Sequence, residues 1–263
     1  MLVVISPAKR LDWEPVDVSP TLPDFQKEAN ILASHARALS LAKLKSLMDL
    51  SDDLAKLNRD RFKAFEDQST QENAKPAVFA FAGDTYMGLE AKTLDEDSLR
   101  YAQDHLRILS GLYGVLRPMD AIQPYRLEMG SRLKTRRGTN LYDFWRDVPA
   151  KALNEAAEAT NSAFLVNCAS QEYFGAVDLK QLKPRLIEPV FMEVKSGTPK
   201  IVSFFAKKAR GSMARFIVEN RVTDVDSLKE FSTGGYRFDL DSSEGDRLVF
   251  LRDEAQGAMK KAS

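Results

Sequence analysis

DEDSLRYAQDHLRILSGLYGVLRP, residues 95–118, is the stretch on which the fold turns. The spacing predicts a helix over 95–109. Asp95, Glu96 and Asp97 crowd its first turn, where the helix dipole favours anions, and Leu99, Ala102, Leu106 and Leu109 share one face. Ser110-Gly111-Leu112-Tyr113-Gly114 then ends it sharply, since two glycines three apart admit backbone conformations that other residues resist. Two readings of this stop are open. One is a helix cap that feeds a strand. The other is a turn whose exposed amides hold a phosphate, with Arg107, Arg117 and Arg126 around it.

Outward from this stretch, strands and helices interleave. Towards the N-terminus, AVFAFA (77–82) reads as a strand ending at Gly83-Asp84, and Ser51 and Ser40 are sensible caps for two further helices. Residues 25–38 have helical spacing, and LVVI (2–5) is a buried strand closed by Ser6-Pro7. Towards the C-terminus, 140–159 contains a helix restarted at Pro149, and 163–167, 185–194, 201–205 and 248–251 read as strands. A basic helix over 206–221 completes the pattern. With no internal repeat and no low-complexity linker, the expected fold is α/β (mixed α+β). It is a single compact domain over 1–252, a mixed sheet surrounded by helices, with 253–263 as a flexible tail.

Composition excludes several classes. In 263 residues, 44% are hydrophobic and 29% charged, as in an ordinary globular protein. No apolar run approaches the ~18 residues of a membrane helix, and the N-terminus lacks the charge order of a secretory signal, so a cytoplasmic protein without membrane contact is expected. A single cysteine, Cys168, excludes a disulfide framework and a multi-thiolate metal site. With only His35 and His105 in addition, neither a metal nor a cofactor is expected.

The formal charge is zero, 38 basic against 38 acidic residues, yet the charges are segregated. From Lys195 to Arg221 seven basic residues face one acidic, and from Arg126 to Arg137 five face one. From Thr223 to Asp246 the sign inverts, with seven acidic residues against two basic. Such patterning builds either a positive cleft or solvated faces with complementary neighbours. Lys207, Lys208 and Arg210 stand at the expected start of the basic helix, where cations oppose the dipole; that mismatch points to an anion site. Lys9 and Arg10, just past the first strand, form a weaker version of it. Asp84 and Tyr86 in one loop, and Glu172 and Tyr173 in another, follow strands, where α/β folds place their sites. They serve either as helix-capping turn residues or as acid–base groups.

Taken together, ISPAK (5–9), FAGDTY (81–86), SGLYGVLRP (110–118), PYRLEMG (124–130), ASQEYF (169–174) and SFFAKKARG (203–211) resemble the bacterial YaaA family of peroxide-stress resistance proteins. The resemblance implies a cytosolic protein that limits oxidative damage and helps keep free iron low. It also implies DNA binding through a positively charged cleft and a helix–hairpin–helix element, whose natural place here is Ser110 to Gly114. On this basis the expected protein is a monomer that binds double-stranded DNA, or other nucleic acid, without base-sequence specificity. Lys9, Arg107, Arg117, Arg126, Lys207, Lys208 and Arg210 would contact phosphates, Gly111 and Gly114 would bring amides to the backbone, and Tyr113 would stack or wedge. The alternative is an enzyme acting on a nucleotide or a damaged base, with Asp84, Tyr86, Glu172 and Tyr173 in the same cleft as the arginines.

Overall fold

Leu2–Ile5 presents four apolar side chains in succession and all four are buried, as expected of a strand covered on both faces and flanked by parallel partners. The computed structural model describes residues 1–253, and this strand lies inside an eight-stranded mixed sheet surrounded by helices. The strands are β1 (Leu2–Ile5), β2 (Leu106–Ser110), β3 (Gly114–Leu116), β4 (Phe164–Cys168), β5 (Arg185–Lys195), β6 (Thr198–Lys200), β7 (Arg237–Glu244) and β8 (Arg247–Asp253). Their order is β7-β8-β5-β4-β1-β2-β3, with β6 paired to β5. Strands β8, β5, β4, β1 and β2 run parallel, while β7, β6 and β3 are antiparallel to their neighbours.

One helical contact positions the rest. The Ser203–Glu219 helix lies against the Asp84–Leu89 helix so closely that only glycine fits at two points. A Cβ on Gly211 would stand 1.7 Å from the Thr85 carbonyl oxygen, and one on Gly88 would stand 2.0 Å from that of Lys208. Ser40 and Ser51 cap the Leu41–Met48 and Asp52–Ala64 helices as expected, accepting bonds from the amides of Lys43 and Leu54.

Several boundaries differ from the sequence reading. The helix capped by Asp95 stops at His105, and Leu106 is already extended, because β1 offers its edge and Val3, Val4 and Ile5 pair with Leu106, Arg107 and Ile108. Ser110 to Gly114 therefore joins two strands, with Ser110 opposite Gly114 and φ +70° at Gly114. No helix–hairpin–helix stands at that place. The run 77–82 is a helical turn, Ala77–Ala80, followed by a two-residue strand, Phe81–Ala82, which pairs with Arg10–Leu11. The strand expected over 201–205 is instead the entry to the Ser203–Glu219 helix. Asp253 belongs to β8, and the remainder of the expected tail lies outside the described residues.

Candidate functional site

Strand β1 has a parallel partner on each side, and the chain visits β2 on one side before returning to β4 on the other. The crevice beyond the carboxyl ends of strands at such a reversal is where open α/β sheets take ligands. Register decides what reaches it. Ile5 lies opposite both Ile108 and Cys168, so Ser6, Ser110 and Ser170 all fall at this edge. The Ser170 amide donates to Ser6 Oγ at 2.8 Å, and the two hydroxyls are 3.3 Å apart.

Three buried tyrosines cover the serines. Tyr86 donates to the Ser6 carbonyl at 3.2 Å, and the Tyr125 hydroxyl meets Ser110 Oγ at 2.6 Å. Tyr173 is buried beside them. Burial, and then the other phenols nearby, pushes Tyr86 and Tyr173 well above the ordinary tyrosine range. For Tyr173 the carboxylates of Glu172 and Glu128 add to the effect. Glu128 Oε1 accepts from Lys9 Nζ at 2.6 Å and from Arg126 Nη2 at 3.2 Å. Arg126 Nε is fully buried with no hydrogen-bond partner among the described residues. Glu172 Oε1 accepts from the Gly130 amide at 2.9 Å.

Five of the six sequence motifs thus meet in one cluster that holds Lys9, Tyr86, Arg126, Glu172 and Tyr173 of the expected site residues. Asp84 is half-buried and starts its helix, with no hydrogen bond or ion pair among the described residues. Gly130 is also the edge of a second feature. A groove of about 770 Å³ runs past it, lined by His35, Lys43, Arg132 and Lys134 together with Ala38, Leu39, Ser46, Leu47 and Leu133. No carboxylate lines it, and Lys43, Arg132 and Lys134 are exposed and make no ion pair among the described residues. Lys43 and Lys134 are 91 residues apart, and the sequence singles out neither. The only signal is the basic block 126–137.

Other expected residues stand elsewhere. Tyr113 is fully buried and accepts a bond from the Gln123 amide, so it neither stacks on nor wedges into a ligand. Gly111 and Gly114 are buried, packed against the Leu127 carbonyl and the Trp145 ring respectively. Arg107 is largely buried and donates to the Gln103 and Leu106 carbonyls. Arg117 is bound by Asp120 at 2.9 Å, with Asp24 at 3.4 Å, and donates to the Leu22 carbonyl. Their charges hold the fold at the end of β2 remote from Ser110. Lys207 and Lys208 are exposed on the second turn of their helix, beyond the free amides of its start. Arg210 is half-buried and feels the Cys168 thiol, which burial pushes up to about 12.

Comparison with known proteins adds to this geometry. A family model described as peroxide stress protein YaaA matches residues 1–242. A UPF0246 protein of Roseobacter denitrificans is 64% identical over 254 residues, covering 96% of this chain and 98% of its own. A UPF0246 protein of Ruegeria pomeroyi is 64% identical over 252 residues, with the same coverage. One of Phenylobacterium zucineum is 52% identical over 256 residues, covering 97% of this chain and 96% of its own.

Proposed function

Because the chain belongs to the family of the peroxide stress protein YaaA, we propose that it serves the peroxide stress response by binding double-stranded DNA along the groove, without reading base sequence. The observation that carries this reading is the groove itself: three cations without anionic partners among the described residues, and no carboxylate, on a molecule of zero formal charge. Phosphate neutralisation needs no more than such a stripe, and it is indifferent to sequence.

The Leu41–Met48 and Asp52–Ala64 helices, joined by a turn with Asp49 in the left-handed region, have the outline of a hairpin that could approach a backbone. Asp52 and Asp53 occupy the first turn of the second helix, however, and would repel a phosphate there. The proposed contact is therefore the side of this helix pair that carries Lys43. The setting is a cytoplasmic monomer.

The lowered free iron implied by the resemblance belongs to the same proposal. Among the described residues no group of three or more His, Cys, Asp or Glu could hold a metal ion. Lys43→Gln, Arg132→Gln and Lys134→Gln combined should abolish most duplex binding in an anisotropy titration, while scrambling the duplex sequence should change little. A strong dependence on base sequence would refute the reading.

A second reading has one observation in its favour. Glu172, Tyr86 and Tyr173 converge with Arg126 and Lys9 at the strand ends. That arrangement suits work on a nucleotide or a base.

A further inference from the structure

We propose that the strand-end cluster receives a single unstacked nucleobase from nucleic acid held in the neighbouring groove. The inference rests on the DNA-binding reading and deepens it. Gly130 joins the two features: it lines the groove, and its amide holds Glu172 Oε1 at 2.9 Å. On the groove side stand Lys43, Arg132 and Lys134 without an acid, and beyond Gly130 stand Glu172 and Glu128. A polyanion can lie along the cations, whereas beyond Gly130 the two carboxylates balance Lys9 and Arg126 and leave no net positive charge to hold a phosphate. What passes Gly130 is an uncharged part of the nucleic acid.

The chemistry of the cluster then selects the base. An ionised carboxylate is an acceptor only, and Glu172 has one oxygen not engaged by Gly130, a match for an amino or imino N–H of a base edge. Lys9 and Arg126 are the donors of the same cluster for the adjacent ring or carbonyl acceptor. Lys9 is largely exposed and paired with Glu128, and Arg126 Nε is buried without a partner among the described residues while its Nη2 is engaged by Glu128. A base edge carries donor and acceptor side by side, as this set requires.

The test uses the full-length protein and two short duplexes, one fully paired and one carrying a single unpaired 2-aminopurine. Affinity is read by anisotropy and unstacking by 2-aminopurine fluorescence. Wild type should favour the unpaired duplex by about tenfold, with a fluorescence change on binding. Glu172→Gln keeps an oxygen for Gly130 but puts an amide where an acceptor stood, and it should bring the affinity ratio close to one. Lys9→Met, at an exposed position, should lower the ratio as well without threatening the fold. If wild type binds both duplexes equally and with the usual salt dependence, this inference fails and the groove reading stands. If Glu172→Gln tightens both duplexes by the same factor, Glu172 is merely a repulsive charge and the inference also fails. If neither duplex is bound, the DNA-binding reading itself falls.

Discussion

Gly211→Ala sets two known magnitudes against each other. Inside a helix, alanine in place of glycine is favourable by about 0.8–1 kcal/mol, so an isolated Ser203–Glu219 helix would gain from the change. In the folded protein the new Cβ would lie 1.7 Å from the Thr85 carbonyl oxygen and 2.9 Å from the Leu89 amide nitrogen. Both are backbone atoms of the facing helix, so relief requires whole helices to separate. Overpacking where side chains can yield costs about 1–3 kcal/mol, and this case belongs at or above the top of that range. With a cost of about 4 kcal/mol set against that gain of about 1, the expected net loss is about 3 kcal/mol. For a chain of this size that is a fall in Tm of about 6–12 °C. Separation of the helices would also move Tyr86 from the Ser6 carbonyl, so the strand-end cluster should loosen. Gly245→Ala is the control: with φ +56° and nothing within 4 Å, it carries only left-handed strain, about 1–2 kcal/mol. Thermal and urea denaturation of both variants decide the matter. A Gly211→Ala protein as stable as wild type, or more stable, would refute the packing argument.

Other perturbations separate structure from binding. Arg117→Ala strands Asp120, whose side chain is 1% exposed and whose carboxyl burial already pushes up, and should cost about 3 kcal/mol, the low end for a broken buried pair, because Arg117 is partly exposed. Duplex affinity of that variant, measured below its melting range, should equal that of wild type. Cys168 lies in the core with its pKa pushed up to about 12, so the native thiol should resist a thiol reagent at pH 8 and react only after denaturation. Cys168→Ser should keep peroxide protection in cells, and loss of protection in a folded variant would bring sulfur chemistry into the mechanism. Asp12 is held down to about 2, first by the hydrogen bond from Lys92 and then by the Glu14 amide. Its folded pKa is below the unfolded one, so its contribution is complete above about pH 4 and is lost as pH falls through about 2. In acid titrations Asp12→Asn should therefore flatten the loss of stability in that window, and an unchanged profile would contradict the assignment.

Strands rich in β-branched residues are legible from the sequence: Leu2–Ile5, Phe164–Cys168 and Arg185–Lys195 lie where their runs predict. Boundaries set by tertiary pairing are not. Leu106 and Leu109 continue the helical spacing of Leu99 and Ala102, and no breaker stands between them; only the edge of β1 turns that leucine run into a strand. The six apolar residues 77–82 fit a buried strand and a buried helical turn equally well. Val202 caps the Ser203–Glu219 helix without a side-chain bond, so its true start carries no signal, and the sequence pattern assigns the cations to a helix terminus they do not occupy. At the site, the motifs can be found one by one, but their meeting depends on the register of Ile5 against Ile108 and Cys168. Lys43 and Lys134, distant in sequence, each read as an ordinary solvated charge until folding places them in one groove.

The central claim is that DNA phosphates lie on Lys43, Arg132 and Lys134, and the salt dependence of duplex binding tests it most directly. Each neutralised phosphate contributes about −0.9 to the slope of log K against log salt, so these three cations should supply a slope of about −3. The wild-type slope should be at least that steep, and the triple glutamine variant should show one shallower by about 3. Identical slopes in the two proteins, or a flat response in wild type, would contradict the claim.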